Sequence, residues 1–341
     1  MLREARPSTS LQVFRLLATS FLIFQGVSSY VYYSEVEAQC FLNLAAAAYA
    51  DAANSTARQS CIDLSYPDNQ FRVLMVMSAP CDKHRNQCQA FVAISDTTRT
   101  VIVSFRGTNT GGQLLTEFST GLVDYMTYIE EDGKGNNVSI GHANFYFLRA
   151  MDKMWDEMVE PCIQGRANYT FLVTGHSLGG ALASLTAFRI AFRGISTEVK
   201  VHTFGEPRVG DHSFASYFSM FVPYAFRIIH YTDPVPHLPP LNVANAAGDG
   251  LPYHHPREVW YNDVFTSYTL CSPTEGEDWG CSDKERFWQY GHKGTYRHTH
   301  YFNHFLSEYG AMGCNSGGSR NILVIFPCLL IVLLLHNKLK L

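Results

Sequence analysis

Charge is scarce in this chain of 341 residues: Asp, Glu, Lys and Arg make up only 16%, against 46% apolar residues. That balance excludes global disorder, because enough apolar surface is present to build a sizeable core. Neither sign dominates. The 26 basic and 30 acidic residues leave a net charge of -4, and no basic run occurs. The electrostatic footprint of a nucleic-acid binder is therefore missing. No Cys-x-x-Cys pair occurs among the nine cysteines, which removes the usual ligand spacing of a structural zinc site. No internal repeat is evident.

Long apolar runs are absent from the middle, and those at the two ends are short for a membrane span. Arg3, Arg6 and Arg15 precede "LLATSFLIFQGVSS", which runs from apolar to small. This layout predicts a secretory signal peptide over residues 1–29, cleaved near Ser28 or Ser29. At the other end "NSGGSR" leads into "ILVIFPCLLIVLLL" (322–335). Residues 315–341 thus read as a polar spacer with an apolar tail, either a GPI-attachment signal or a short membrane anchor. Membrane association through this tail is expected, with an extracellular or cell-surface location.

The cysteines agree with secretion. Apart from Cys328 in the tail there are eight: Cys40, Cys61, Cys81, Cys88, Cys162, Cys271, Cys281 and Cys314. An even set in a secretory chain predicts disulfides, with Cys81–Cys88 and Cys271–Cys281 close enough to be local staples. The remaining pairing does not follow from spacing. Asn-x-Ser/Thr sequons begin at Asn54, Asn137 and Asn168, as in a glycosylated lumenal protein.

Between the ends, residues 30–314 read as a single catalytic domain. "CFLNLAAAAYADAA" predicts a helix, and "FRVLMVMS", "AFVAISD" and "TVIVSFRG" predict strands. "NFYFLRAMDKMWDEMVEPC" predicts an amphipathic helix stopped near Pro161. Strand "YTFLVTG", helix "SLGGALASLTAFRIAFRG", strand "VKVHTFG", helix "HSFASYFSMF" and strand "AFRIIHYT" follow. Such alternation predicts an α/β fold with a mostly parallel central sheet flanked by helices. Beyond Asp233 the chain is rich in Pro, His and Tyr and harder to divide.

In a parallel sheet, reactive groups sit at the carboxyl ends of strands. Ser177 is placed at such an end, within Gly175-His176-Ser177-Leu178-Gly179. This fits the G-x-S-x-G nucleophile elbow, in which side chains at the two glycines would collide with neighbouring backbone. A helix starting there points its first amides at the reaction centre. The plain alternative is a glycine-rich helix start that only packs. A serine hydroxyl needs a base and an oriented partner to be a useful nucleophile. The α/β-hydrolase order is serine, acid, histidine. Asp233 follows an apolar strand within "YTDPVPHLPP", where prolines stiffen the loop. Asp211 and Asp263 are weaker rivals, since neither ends a strand of that quality.

Taken together, "VIVSFRGT", "GHANFYFLRA", "VTGHSLGGALASL", "TFGEPRVGD", "YTDPVPHLPP", "YHHPREVWY" and "HTHYF" resemble the class 3 lipase family, the fungal-type triacylglycerol lipases and their feruloyl esterase relatives. The resemblance spans roughly residues 40–314 and implies the α/β-hydrolase fold. It also implies that the aspartate of Asp-x-Val-Pro-x-Leu-Pro-Pro, here Asp233, is the triad acid. The family base lies in a His-x-x-Tyr-Phe pattern, which falls on His298. His300 is the neighbouring rival, and His254 the inviting but earlier one. A hydroxyl donor to the oxyanion follows Arg-Gly in the family, which falls on Thr108. The Leu178 amide would be the other donor. "NTGGQLLTEF" occupies the lid position, with Gly111 and Gly112 as hinge and Leu114, Leu115 and Phe118 as greasy face. Asn144 departs from the family's glycine after Gly-His-x, which puts that backbone in question.

The resulting expectation is a secreted or surface-anchored serine hydrolase that cleaves lipid carboxylic esters at an interface through an acyl-enzyme. No metal or organic cofactor is implied. His300 and His304 could ligate a metal if both lay on one helix. His176 reads as a packing residue. Phospholipase A1 or general carboxylesterase activity is the near alternative. A catalytically silent hydrolase fold used for binding is the distant one.

Overall fold

The computed structural model describes residues 31–80, 87–108, 125–241, 252–285 and 291–315. The expected signal peptide, the lid segment with Gly111, Gly112, Leu114, Leu115 and Phe118, Cys81 and the apolar tail lie outside the described residues. Ser34–Leu341 forms one compact unit and Met1–Tyr33 another. All elements named below belong to the former.

The apolar runs form an eight-stranded sheet in the order β1-β2-β3-β6-β7-β8-β9-β10. Here β1 is Arg72–Pro80, β2 Gln87–Ser95, β3 Thr100–Phe105, β6 Thr170–His176, β7 Val199–Phe204, β8 Tyr224–His230, β9 Glu258–Tyr261 and β10 Tyr268–Leu270. From β3 to β9 neighbouring strands pair in parallel, and β1, β2 and β10 are antiparallel. A separate hairpin joins β4 (Tyr125–Glu131) to β5 (Asn137–Asn144).

The central strands are apolar on both faces because helices cover both. On one face Val101, Val103, Phe105, Phe171 and Val173 pack into a single core with Leu182, Leu185 and Phe188. Those last three belong to the helix Leu178–Phe192. On the other face lies α1 (Glu35–Ala47), capped by Ser34, whose side chain accepts from Glu37 N. Ser104 Oγ and Thr174 Oγ1 donate to the Leu44 and Phe41 carbonyls of α1. The alanine run of α1 keeps its flank flat enough for another helix, Leu306–Ala311, to lie directly on it. A side chain at Gly310 would stand 1.8 Å from the Ala46 oxygen.

The helix after Asn144 ends at Ile163, near Pro161 as expected, but it is not regular throughout. Phe145–Met154 is α-helical, Trp155–Val159 forms a π-turn, and Glu160–Ile163 resumes as α-helix with Pro161 in its first turn. A proline there lacks only an amide hydrogen that a first turn does not use, and the wider π-turn gives the ring room. Asn144 fits without strain. Its φ is -58°, and its side chain caps the following helix by accepting from Tyr146 N and Phe147 N.

The cysteines pair only in part as expected. Cys271–Cys281 is a disulfide, and a second links Cys61 to Cys314 across 253 residues. Cys40 and Cys88 are also disulfide-bonded. Cys162 is free and buried, so the eight cysteines do not all pair. Its short helix turns it into the core. Among the described residues no helix is long and apolar enough to cross a membrane.

The long Cys61–Cys314 loop makes a measurable prediction. A cross-link this wide removes more freedom from the unfolded chain than a local staple does. The double variant Cys61→Ser, Cys314→Ser should therefore lose about 2–5 kcal/mol. Chemical denaturation of the purified protein checks this, and an unchanged midpoint would count against it.

Candidate active site

Strand β6 and α5 (Leu178–Phe192) meet at Ser177, whose φ of 59° and ψ of -127° lie in a strained region for a non-glycine residue. Such a conformation costs about 1–3 kcal/mol and persists only where neighbours enforce it. The enforcement is visible. Ser177 N–H donates to Phe204 O at 2.8 Å, and Gly180 N–H donates to Ser177 O at 2.9 Å. A side chain at Gly175 would stand 2.1 Å from the Gly179 oxygen, and one at Gly179 would stand 2.2 Å from the Phe105 oxygen. Strand and helix can cross this closely only because both positions are glycine. The Leu178 N–H, at the first position of α5, has no acceptor within the helix.

Two further loops converge on Ser177. Gly107 follows β3 so closely that its Cβ would lie 3.0 Å from Ser177 Cβ, which sets Thr108 beside the elbow. Gly205 follows β7, and its Cβ would meet Asp233 Oδ2 at 2.6 Å and His298 Nδ1 at 3.0 Å. Asp233 lies just after β8, and His298 in the last turn of α7 (Gly291–Thr299). Five separate elements thus deliver their groups to one end of the sheet.

Asp233 and His298 are directly bonded. His298 Nδ1 stands 3.0 and 2.9 Å from the two oxygens of Asp233. Asp233 is fully buried and also accepts from Tyr301 Oη at 2.5 Å and Val235 N at 2.9 Å. Burial alone would raise its pKa. The neighbouring His298 and the hydrogen bonds from His298, Tyr301 and Val235 outweigh burial and hold the carboxyl below its usual range. A charged Asp233 fixes the Nδ1–H tautomer of His298 and leaves Nε2 with a free lone pair. Tyr301 was not singled out from sequence, although it stands three residues after His298 within "HTHYF".

The electrostatic setting is matched by three unpaired atoms. Ser177 Oγ, His298 Nε2 and Thr108 Oγ1 are all buried and have no hydrogen-bond partner in the protein. The rival residues are engaged elsewhere. Asp211 caps the helix His212–Phe221 through Phe214 N and binds His142 Nδ1 at 3.0 Å. The half-exposed carboxylate of Asp263 pairs with Arg297 Nε at 2.7 Å. His254 donates from Nε2 to Pro236 O at 2.7 Å, and burial holds it well below its usual pKa. His300 Nδ1 faces Tyr296 O at 2.9 Å. His300 and His304 lie on the paired strands His300–Tyr301 and His304–Phe305 rather than on one helix, so the helical metal-ligand spacing does not apply.

This geometry agrees with comparisons to known proteins. The family profile described as Lipase (class 3) matches residues 102–243. A lipase of Caenorhabditis elegans is 36% identical over 308 residues, covering 83% of each chain. The secreted mono- and diacylglycerol lipase 1 of Fusarium solani is 31% identical over 161 residues, covering 45% of this chain and 43% of the relative. Among solved structures, lipase II from Rhizopus niveus superposes with a TM-score of 0.60 at 23% identity, covering 80% of this chain and 97% of that one. That last likeness concerns the fold. On the match to the nematode lipase, which covers most of both chains, the chain belongs to the class 3 lipase family, serine carboxylic ester hydrolases of α/β-hydrolase fold.

Proposed function

We propose that this protein hydrolyses acylglycerol esters through an acyl-enzyme, with Ser177 as nucleophile, His298 as base and Asp233 as acid. The observation that carries the proposal is the set of unpaired buried atoms on Ser177, His298 and Thr108 beside a saturated Asp233. Leaving a buried polar group unpaired costs about 1–3 kcal/mol. Three such atoms around one elbow make sense when a substrate supplies their partners.

The chemistry follows from their positions. Ser177 Oγ attacks the ester carbonyl as its proton passes to His298 Nε2. Asp233 stabilises the imidazolium through Nδ1–H. The oxyanion is received by the Leu178 amide and the Thr108 hydroxyl, both of which hold their place before substrate arrives. His298 then returns the proton to the departing alkoxide, and water repeats the sequence on the acyl-enzyme. The Fusarium solani relative is named for mono- and diacylglycerols, and acylglycerols are the substrate class proposed here. A fluorophosphonate probe together with a panel of triglycerides, phospholipids and short esters tests the reading. Labelling of Ser177 with preferential acylglycerol hydrolysis is expected. Preference for phospholipids would move the assignment to phospholipase A1, and failure to label the folded protein would favour a silent binding module.

We further assign residues 1–29 to a secretory leader, 30–314 to the catalytic domain and 315–341 to a tail that holds the protein at a membrane. The Cys61–Cys314 and Cys271–Cys281 disulfides support an oxidising compartment. Asn54, Asn137 and Asn168 are all exposed. Asn54 caps the helix Ser55–Ser65 through Oδ1, which leaves its Nδ2 for a sugar. Enzymatic deglycosylation in heavy-oxygen water should therefore mark Asn54, Asn137 and Asn168 as labelled Asp by mass spectrometry. Unmarked peptides from secreted protein would count against glycosylation, whereas retention in the cytosol would count against the leader.

A further inference from the structure

The carbonyls in the last turn of any helix have no partner inside the helix. In α7 that turn carries His298, and two buried histidines from strand ends take up its carbonyls. His176, the last residue of β6, sets Nε2 2.6 Å from the His298 oxygen. His230, the last residue of β8, sets Nδ1 3.0 Å from the Arg297 oxygen and 2.7 Å from the His300 oxygen. The carbonyl before His298, its own, and one just beyond it are thereby held from the sheet side.

His176 has a second contact, which fixes its chemistry. Its Nδ1 stands 2.6 Å from Tyr49 Oη. A carbonyl only accepts, so Nε2 carries the proton, Nδ1 offers its lone pair, and the Tyr49 hydroxyl donates. Burial first, and the neighbouring His298 second, hold the His176 pKa down to about 3. The ring is therefore neutral. Neutrality has a reason here, because the His176 and His298 rings lie 4.6 Å apart. A cation beside the imidazolium that forms on the base would oppose its formation. A neutral N–H closes the helix end without that cost. The same Tyr49 oxygen fills the space beside Gly107, 2.5 Å from where a Cβ would stand. One line of contacts thus runs from the Thr108 loop through Tyr49 and His176 to the base.

We propose that His176 and His230 are positioning residues, with Tyr49 setting the tautomer of His176. By capping the end of α7 they determine where His298 Nε2 stands relative to Ser177 Oγ. Their geometry reaches the reaction only through the backbone of the base, and the inference rests on His298 being that base.

Steady-state hydrolysis of a soluble nitrophenyl ester by the full chain tests this. A misplacement of about 1 Å can cost on the order of a hundred-fold, so His176→Leu and His230→Leu should each lose about that much kcat with KM unchanged. His176→Gln, whose amide N–H reaches the same oxygen, should recover at least about ten-fold of the loss. Tyr49→Phe should fall between the Gln variant and wild type. Wild-type kcat in both Leu variants would overturn the proposal, as would equal impairment of the Gln and Leu variants. If a Leu variant does not fold, the Gln variant decides. Turnover within about ten-fold of wild type supports the capping role, and a loss as deep as that of His298→Ala overturns it. His298→Ala measured alongside separates the two claims. Wild-type turnover there would remove the base assignment, whereas a dead His298→Ala with unaffected His176→Leu would remove only the positioning role.

Discussion

Ser177→Ala should lose turnover on the order of a million-fold, the scale seen when the nucleophile of a comparable triad is removed, while the protein keeps its fold. The two halves of that expectation have separate causes. Activity goes because Oγ is the only atom at the elbow that can form the acyl bond. The fold stays because alanine keeps the Cβ, and the strained backbone is held by the Phe204 and Gly180 hydrogen bonds rather than by the hydroxyl. Stability should even rise slightly, since an unpaired buried Oγ disappears. Ester kinetics, fluorophosphonate labelling and thermal unfolding read the three outcomes. Near-wild-type activity in the variant would sink the nucleophile assignment.

His298→Ala should lose nearly as much, because the serine proton then has no acceptor and members of a triad act as a unit. His254→Ala should behave differently. His254 is buried and bonded to Pro236 O, so its loss should lower stability by about 1–3 kcal/mol through an unpaired carbonyl and a cavity. Turnover per folded molecule should change little. Parallel measurements of kcat and denaturation midpoint distinguish the two. If His254→Ala proved dead and His298→Ala active, the base would lie before Trp260, and the geometry around Asp233 would need another explanation.

The legibility of these residues differed, for physical reasons. The elbow was readable because everything it needs is local: an apolar strand, two glycines that cannot carry side chains, and a small-residue helix. Asp233 is readable because β8 is a mostly apolar, fully formed strand and Asp233 is the first carboxylate after it. The central strands and the helix after Ser177 were found nearly to the residue. His298 came only through family resemblance. Its surroundings mix His, Tyr and Phe without a period, so the short helix and the hairpin after it carry no pattern of their own. His176 reads as packing from sequence because a residue before a nucleophile shows nothing of what its ring nitrogens face. That depends on Tyr49, 127 positions away. The partner of Cys61 was illegible for the same reason, as pairing is decided by which loops the finished sheet brings together.

The Cys61–Cys314 bridge has a mechanical consequence. Cys314 is the last cysteine before the chain runs on toward its apolar end, and it lies only 16 positions after His298. A pull applied beyond Asn315 would otherwise travel back through Leu306–Ala311 and the hairpin into α7, where the base is seated. The disulfide offers a covalent path around them, into the helix Ser55–Ser65. Were the tail tethered as proposed above, drag or thermal jostling on it would be borne in part by a bond that leads away from His298.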